Sequence, residues 1–212
     1  MQINNPLYIP NDVDSMMFFE HFEESSPRKV LEIGANEEYS ACILAENGYE
    51  VLGVDLRDQN FPVVLPPSYT RCKADFVQIA PYLKQDFDVI FSTSAVEHFG
   101  LCVYGQWKRV EDYDAQTMEW CYKLLRPGGA CYITVPYGKE FIEEGDWRVY
   151  NRESFQKRIV QDFKVDKKVF FKSGDAAGVP DVNGIVSEED VDKYHGRPPH
   201  CTIWARLIKE SK

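Results

Sequence analysis

The 212-residue sequence has no excess of basic charge: 24 Lys and Arg stand against 34 Asp and Glu, a formal net charge of −10. A surface that acidic repels phosphate backbones unless it carries a local basic patch, so no nucleic-acid partner is expected, and no anionic membrane. No apolar run approaches the ~18 residues that would cross a bilayer, so no membrane span is expected. The opening, MQINNPLYIPNDVDSMMFFE, has neither the basic start nor the unbroken apolar stretch of a secretory signal. The six cysteines (Cys42, Cys72, Cys102, Cys121, Cys131 and Cys201) include no C-x-x-C pair and have mostly apolar neighbours. Their spacing speaks against a zinc ribbon or a disulfide scaffold, and for reduced, mostly buried thiols in a cytoplasmic protein. Repeats and low-complexity tracts are also missing. With 44% apolar and 27% charged residues the chain has enough apolar surface for a core and falls outside the disordered class. The length suits one domain over residues 1–212.

What is present is an alternation of short β-branched runs with helical stretches, the pattern of an α/β fold with a mainly parallel sheet. Strands are expected at 29–33, 50–54, 69–74, 87–92, 130–135, 165–171 and 201–208. Helices are expected at 11–24 (inside a leading region, 1–27), 37–47, 77–84, 114–125 and 153–163. Three prolines make 59–68 a loop, and Arg126-Pro127-Gly128-Gly129 should end the fourth helix sharply. Two long connections, 99–112 and 174–200, have the length of functional lids or disordered insertions.

The turn after the first strand reads Val30-Leu31-Glu32-Ile33-Gly34-Ala35-Asn36. A glycine directly after a buried strand, with a helix start behind it, lets backbone approach a ligand closely. Asp55 follows 21 residues after Gly34, at the end of the second strand. An acid at that spacing is placed to grip the ribose hydroxyls of an adenosine-containing cofactor. Asp75, 20 residues further on, ends the third strand, where a carboxylate can accept from an adenine amino group. Ligands bind outside the carboxyl ends of such strands.

VLEIGA, the run GVDLR over 53–57, Ala74-Asp75, FDVIFSTSAVEH over 87–98, and LLRPGG followed by ITVP come in one order over residues 29–136. In this the chain resembles the class I S-adenosylmethionine-dependent methyltransferases. The resemblance implies a Rossmann-like, doubly wound, mostly parallel seven-stranded sheet with an antiparallel last strand, and S-adenosyl-L-methionine as cofactor. It implies a cofactor site of Glu32, Gly34, Ala35, Asn36, Asp55, Leu56, Asp75, Phe76 and Ser92. The family's glycine loop usually carries further glycines where Asn36 and Glu38 stand, and those side chains narrow the approach to the methionine portion. The same loss counts against the competing reading, a NAD-binding Rossmann domain, because a pyrophosphate needs the second glycine.

At the end of the fourth strand, Ser92-Thr93-Ser94-Ala95 replaces the N/D-P-P-Y/F tetrad of nucleobase amino methyltransferases. The following Glu97-His98-Phe99-Gly100-Leu101 with Tyr104-Gly105, and Trp147-Arg148-Val149-Tyr150, are similar to small methyltransferases of glycan and polysaccharide biosynthesis. That likeness implies a sugar or glycan acceptor. His98, with an ordinary pKa of about 6.5, is the candidate base for the acceptor hydroxyl, and Glu97 is the candidate to orient it or to bind substrate. Aromatic rings stack on sugar faces and an arginine can donate a bidentate pair, which makes Tyr104, Tyr137, Trp147, Arg148 and Tyr150 the candidate acceptor contacts. Ser94-x-x-Glu97-His98 also resembles the E-x-x-E-H metal site of some methyltransferases with its first acid missing. A divalent ion held by Glu97, His98, His195 and His200 is therefore possible but not favoured. Two alternatives stay open: methylation of another small-molecule hydroxyl or carboxylate, and a catalytically silent interaction module with the methyltransferase fold.

Overall fold

The computed structural model describes residues 18–23, 28–36, 40–58, 65–139, 141–142, 147–173, 184–191 and 200–211. Strands form where β-branched and aromatic residues run together. They are β1 (Lys29–Ile33), β2 (Glu50–Asp55), β3 (Tyr69–Lys73), β4 (Phe87–Thr93), β5 (Leu125–Tyr137), β6 (Phe141–Ile142), β7 (Arg148–Val149), β8 (Lys164–Ser173) and β9 (His200–Ile208). The helices are α1 (Ser40–Glu46), α2 (Phe76–Ile79), α3 (Tyr113–Leu124) and α4 (Arg152–Phe155). β1 and β4 are buried on both faces, so they read as near-continuous apolar runs, as strands of a covered parallel sheet do.

Seven strands form one sheet in the order β3-β2-β1-β4-β5-β9-β8. β1 to β5 pair in parallel, while β9 pairs antiparallel with both β5 and β8. The doubly wound sheet and its antiparallel last strand are thus as expected. The strand order reverses between β1 and β4, and a crevice opens outside the carboxyl ends of strands at such a switch point. The register brings those ends level: Ile33 lies opposite Val54, and Glu32 opposite Phe91.

Each face of the sheet has its own core. Leu31, Ile33, Ile90, Met118, Leu124 and Ile133 pack on one side. Val30, Ile43, Leu44, Phe91, Tyr132 and Trp204 pack on the other. Residues 18–21 are helical and dock on the second core, where the Phe18 ring stacks on Phe91 at 4.8 Å. The helix stops there, short of the expected residue 24, since 22–23 are not helical; 11–17 and 24 lie outside the described residues.

Several expectations need correction. The fourth expected helix does end just before Arg126-Pro127-Gly128-Gly129, at Leu124, but the run itself belongs to β5, which starts at Leu125 and not at 130, because Gly128 donates to the Lys209 carbonyl (2.7 Å) and Lys209 to that of Gly129 (3.0 Å). The helix expected at 77–84 is α2 followed by a 3-10 turn, Ala80–Tyr82, since Pro81 cannot continue an α ladder. The helix expected at 153–163 is α4 running into a π turn, Gln156–Val160. It starts on a reciprocal cap between Asn151 and Ser154 and stops at Gln161, whose φ is +48°. The short ribbon β6–β7 had no sequence signal. Of the long connection, 174–183 and 192–199 lie outside the described residues, and Ile185 bridges Phe171.

Candidate active site

A cleft of about 140 Å³ opens at the carboxyl ends of β1, β2 and β4. Gly34 forms its floor. The Gly34 amide donates to the Val54 carbonyl (2.9 Å) and its φ is +87°. A Cβ there would come within 2.3 Å of the Ala95 Cβ. Only glycine meets both demands, the left-handed backbone and the close approach of β1 to the chain leaving β4.

Asp55 ends β2 and lines the cleft. Its carboxylate accepts from the Arg57 backbone amide (2.7 Å), from Arg57 Nε (3.2 Å) and from Nη2 (3.3 Å). The Arg57 guanidinium also lies 4.5 Å from the centre of the Tyr104 ring. Asp75 caps α2 by accepting from the Val77 amide (3.1 Å), and accepts from the Tyr113 hydroxyl at 2.7 Å. Burial, and then the bond to Asp75, push the Tyr113 phenol up to about 12, so it stays protonated and keeps donating.

The other wall follows β4. Ser94 leaves the strand with φ +43°, held by its amide donating to the Thr134 carbonyl (3.2 Å) and Oγ1 (2.9 Å). Val96–His98 is a 3-10 turn that puts the His98 imidazole on the cleft wall and buries Glu97 behind it. Glu97 Oε1 lies 3.9 Å from His98 Nε2, an ion pair only when the imidazole is protonated. The His98 ring meets Tyr104 edge-on, with centroids 4.9 Å apart. Cys102 and Tyr104 also have positive φ, +65° and +53°. Such backbone costs a non-glycine residue about 1–2 kcal/mol and persists only where its surroundings hold it. Here the Val110 amide donates to the Gly100 carbonyl (3.0 Å), and Gln106 donates to the His98 carbonyl (3.1 Å) while accepting from the Gly100 amide.

Of the expected cofactor residues, Gly34, Asp55, Leu56, Asp75 and Phe76 line this cleft. Glu32, Ala35, Asn36 and Ser92 do not. Strand alternation turns Glu32 to the face of Val30, where it accepts from the Tyr69 hydroxyl at 3.1 Å. Gly53, opposite Glu32 in register, makes room for that tyrosine, because a Cβ there would stand 2.2 Å from the Tyr69 hydroxyl. Burial raises the Glu32 carboxyl to about 8, above its ordinary 4.5. Ser92 donates to the Ile33 carbonyl (2.9 Å), tying β4 to β1. Ala35 is buried, and so is Asn36, which accepts from Arg71 at 3.5 Å.

Of the expected acceptor contacts, Tyr104 alone is on the cleft wall. Tyr137 is buried between the rings of Phe155 (5.7 Å) and Phe170 (5.0 Å). Tyr150 is buried and donates to Asp114 at 2.8 Å. Arg148 is 3% exposed and donates to the carbonyls of Glu97 (3.3 Å), Phe99 (2.5 Å) and Glu111 (3.0 Å). It clamps both ends of the 97–111 segment instead of offering its fork to a ligand. Trp147 is half-buried at the foot of β7, off the cleft wall. Arg57, Gln106 and Tyr113 were missed, although Arg57 stands inside the DLR run that located Asp55. Among the described residues no group of three or more His, Cys, Asp or Glu side chains is placed to hold a metal ion. His195 lies outside the described residues, as does the side chain of His200. No helix among the described residues is long and apolar enough to cross a membrane. All six cysteines are free thiols.

Residues 31–133 match the family described as methyltransferase domain. That stretch is just under half of the chain. Solved structures carry the same fold. One is a Burkholderia thailandensis 1,6-didemethyltoxoflavin-N1-methyltransferase with bound S-adenosylhomocysteine, 14% identical over 98% of this chain and 80% of that one, TM-score 0.63. Another is a TehB-like methyltransferase from Corynebacterium glutamicum, 16% identical over 98% of this chain and 90% of its own, TM-score 0.57. A third, a Haemonchus contortus phosphoethanolamine N-methyltransferase, is 15% identical over 93% of this chain and 52% of its own, TM-score 0.59. At such identities the likeness speaks for the fold alone. No curated protein sequence matches. The first and the third of these structures hold S-adenosylhomocysteine.

Proposed function

We propose that this methyltransferase moves a methyl group from S-adenosylmethionine to a hydroxyl of a sugar or glycan. The observation that carries the reading is that one cleft holds both chemistries: the carboxylates of Asp55 and Asp75, and the imidazole of His98. The donor set fits the cofactor. Asp55 would accept from the ribose hydroxyls and Asp75 from the adenine amino group, with Leu56 and Phe76 offering apolar surface beside them. Gly34 leaves room for a close backbone approach. When bound, the cofactor supplies a methyl group activated on a sulfonium.

His98 would take the proton of the acceptor hydroxyl as the oxygen attacks, and Glu97 behind it would favour the imidazolium that results. A placed base contributes about 10²–10⁴-fold, and holding the acceptor in line supplies several kcal/mol more. The sugar acceptor rests on the EHFGL…YG likeness, on Tyr104 at the cleft, and on Trp107, fully exposed on the same loop, as a stacking ring. The reading takes residues 1–212 as one domain acting in the cytoplasm, in keeping with the free thiols.

One observation favours a second reading, a smaller acceptor such as a phenol or carboxylate. Tyr137, Arg148 and Tyr150 are buried away from the cleft, which leaves the acceptor side with fewer polar groups than a sugar would use. Labelled-methyl incorporation into panels of glycosides, phenols and carboxylic acids separates the two. The proposal expects glycoside products, and a loss of about 100-fold or more in the single-turnover rate of His98→Gln with S-adenosylhomocysteine affinity retained. Wild-type rates in that variant would remove His98 from the chemistry, and products only from phenols or acids would replace the sugar.

A further inference from the structure

Both oxygens of Asp55 are held by one neighbour. Arg57 reaches back two residues, its backbone amide and Nε donating to Oδ1 and its Nη2 to Oδ2. The fork leaves the Asp55 side chain 5% exposed, although the residue lines an open cleft. The same guanidinium lies 4.5 Å from the Tyr104 ring centre, and Tyr104 meets His98 edge-on at 4.9 Å. Tyr104 keeps its φ of +53° against the steric preference of an L-residue, so its neighbours hold it there. Asp55, Arg57, Tyr104 and His98 therefore form an unbroken row of contacts along the cleft wall.

We propose that Arg57 is a positioning residue: it competes with the cofactor's vicinal diol for the Asp55 carboxylate and, through Tyr104, couples filling of the cofactor half of the cleft to the setting of His98. The inference rests on the cofactor reading above. A diol that donates to both carboxylate oxygens needs the edge the guanidinium fork occupies. Its arrival lifts the fork off Asp55 and shifts the cation against which the Tyr104 ring rests. Tyr104 then moves relative to His98, which it touches.

Calorimetric titration of S-adenosylhomocysteine into the wild type, Arg57→Ala and Arg57→Lys tests the competition. Removing the fork is expected to tighten binding by about five- to twentyfold, with Arg57→Lys in between. Proton NMR of the His98 imidazole, assigned by its loss in His98→Gln, tests the coupling. The wild-type signal is expected to move on saturation with S-adenosylhomocysteine, Tyr104→Phe to keep that shift, and Tyr104→Ala to lose at least about half of it. Equal or weaker binding by Arg57→Ala overturns the competition, and an undiminished His98 shift in Tyr104→Ala overturns the coupling. A wild type that binds no S-adenosylhomocysteine overturns the cofactor reading and this inference with it. Should Arg57→Ala fail to fold, Arg57→Gln, which loses the charge but keeps an amide, carries the same expectation.

Discussion

The wall that carries Gly34, Asp55 and Asp75 grows directly out of strand ends, whereas the wall that carries His98 and Tyr104 is a loop held from a distance. On the first wall the sheet does the positioning: parallel pairing fixes where β1 and β2 stop, and the acids stand at or just past the ends of their strands. On the second, side chains remote in sequence do it. Arg148 bonds carbonyls 37, 49 and 51 residues away, and a buried carboxylate, Asp114, gathers Arg148 (3.8 Å), Arg158 and the Tyr150 hydroxyl behind them. Arg158 bonds both oxygens of Asp114 and the Glu111 carbonyl, and Asp114 holds its guanidinium more firmly charged than usual. A strand-end site is as stable as the sheet. A clamped loop can be loosened without unfolding the sheet, and its residues are free to change with the acceptor.

That difference breaks most visibly at Arg148. Arg148→Ala removes the arginine's bonds to the Glu97 and Phe99 carbonyls, one of two donors to the Glu111 carbonyl and part of the charge facing Asp114, and is expected to cost about 3 kcal/mol in urea unfolding. Methyl transfer should fall with it, while S-adenosylhomocysteine affinity stays within about threefold, because the strand-end wall is untouched. Cofactor affinity that collapses in step with stability would show the two walls to be one unit.

Glu32 sharpens the comparison from the strand side. Burial raises its carboxyl to about 8 in the folded chain, against its ordinary 4.5. Between those values the folded state holds a proton the unfolded state has lost. The contribution of this group to stability is therefore full below the ordinary value and falls as pH rises towards 8. Glu32→Gln is expected to flatten that decline and to unfold at higher urea than the wild type at pH 8. Parallel profiles for the two proteins would place the ionisation elsewhere.

The smallest effect is expected at Tyr113, where α3 touches the first wall. Tyr113→Phe removes one donor to Asp75, which keeps its bond from the Val77 amide. S-adenosylhomocysteine binding should weaken by about threefold in calorimetry, with unfolding nearly unchanged. A loss of a hundredfold would make the phenol, and not the carboxylate alone, part of the binding surface.

The same contrast explains what the sequence could and could not reveal. β1 to β5 and the acids at their ends were legible because hydrophobic runs and strand ends are local features, and a ligand crevice follows from strand order. Parity would have removed Glu32, which shares the face of Val30 and not that of Ile33. Arg148, Tyr150 and Tyr137 looked like mouth residues because their chemistry suits a sugar, but residue type says nothing about which way a side chain points. Arg148 lies in a two-residue strand, too short for any period, and the carbonyls its guanidinium holds come from a distant part of the chain. Gln106 was invisible for the same reason: a loop glutamine that clamps its own loop has no signature. The Pro-Gly-Gly run was misjudged because its pairing partner, Lys209, is 80 or more residues downstream.

The account stands or falls on whether the Asp55 carboxylate grips the cofactor. Calorimetry of S-adenosylhomocysteine with the wild type and Asp55→Ala measures that directly. The expected result is one-to-one binding by the wild type and a loss of about a hundredfold or more in the variant, whose fold is checked by urea unfolding. Equal affinity in the two proteins, or no binding by a folded wild type, would contradict it.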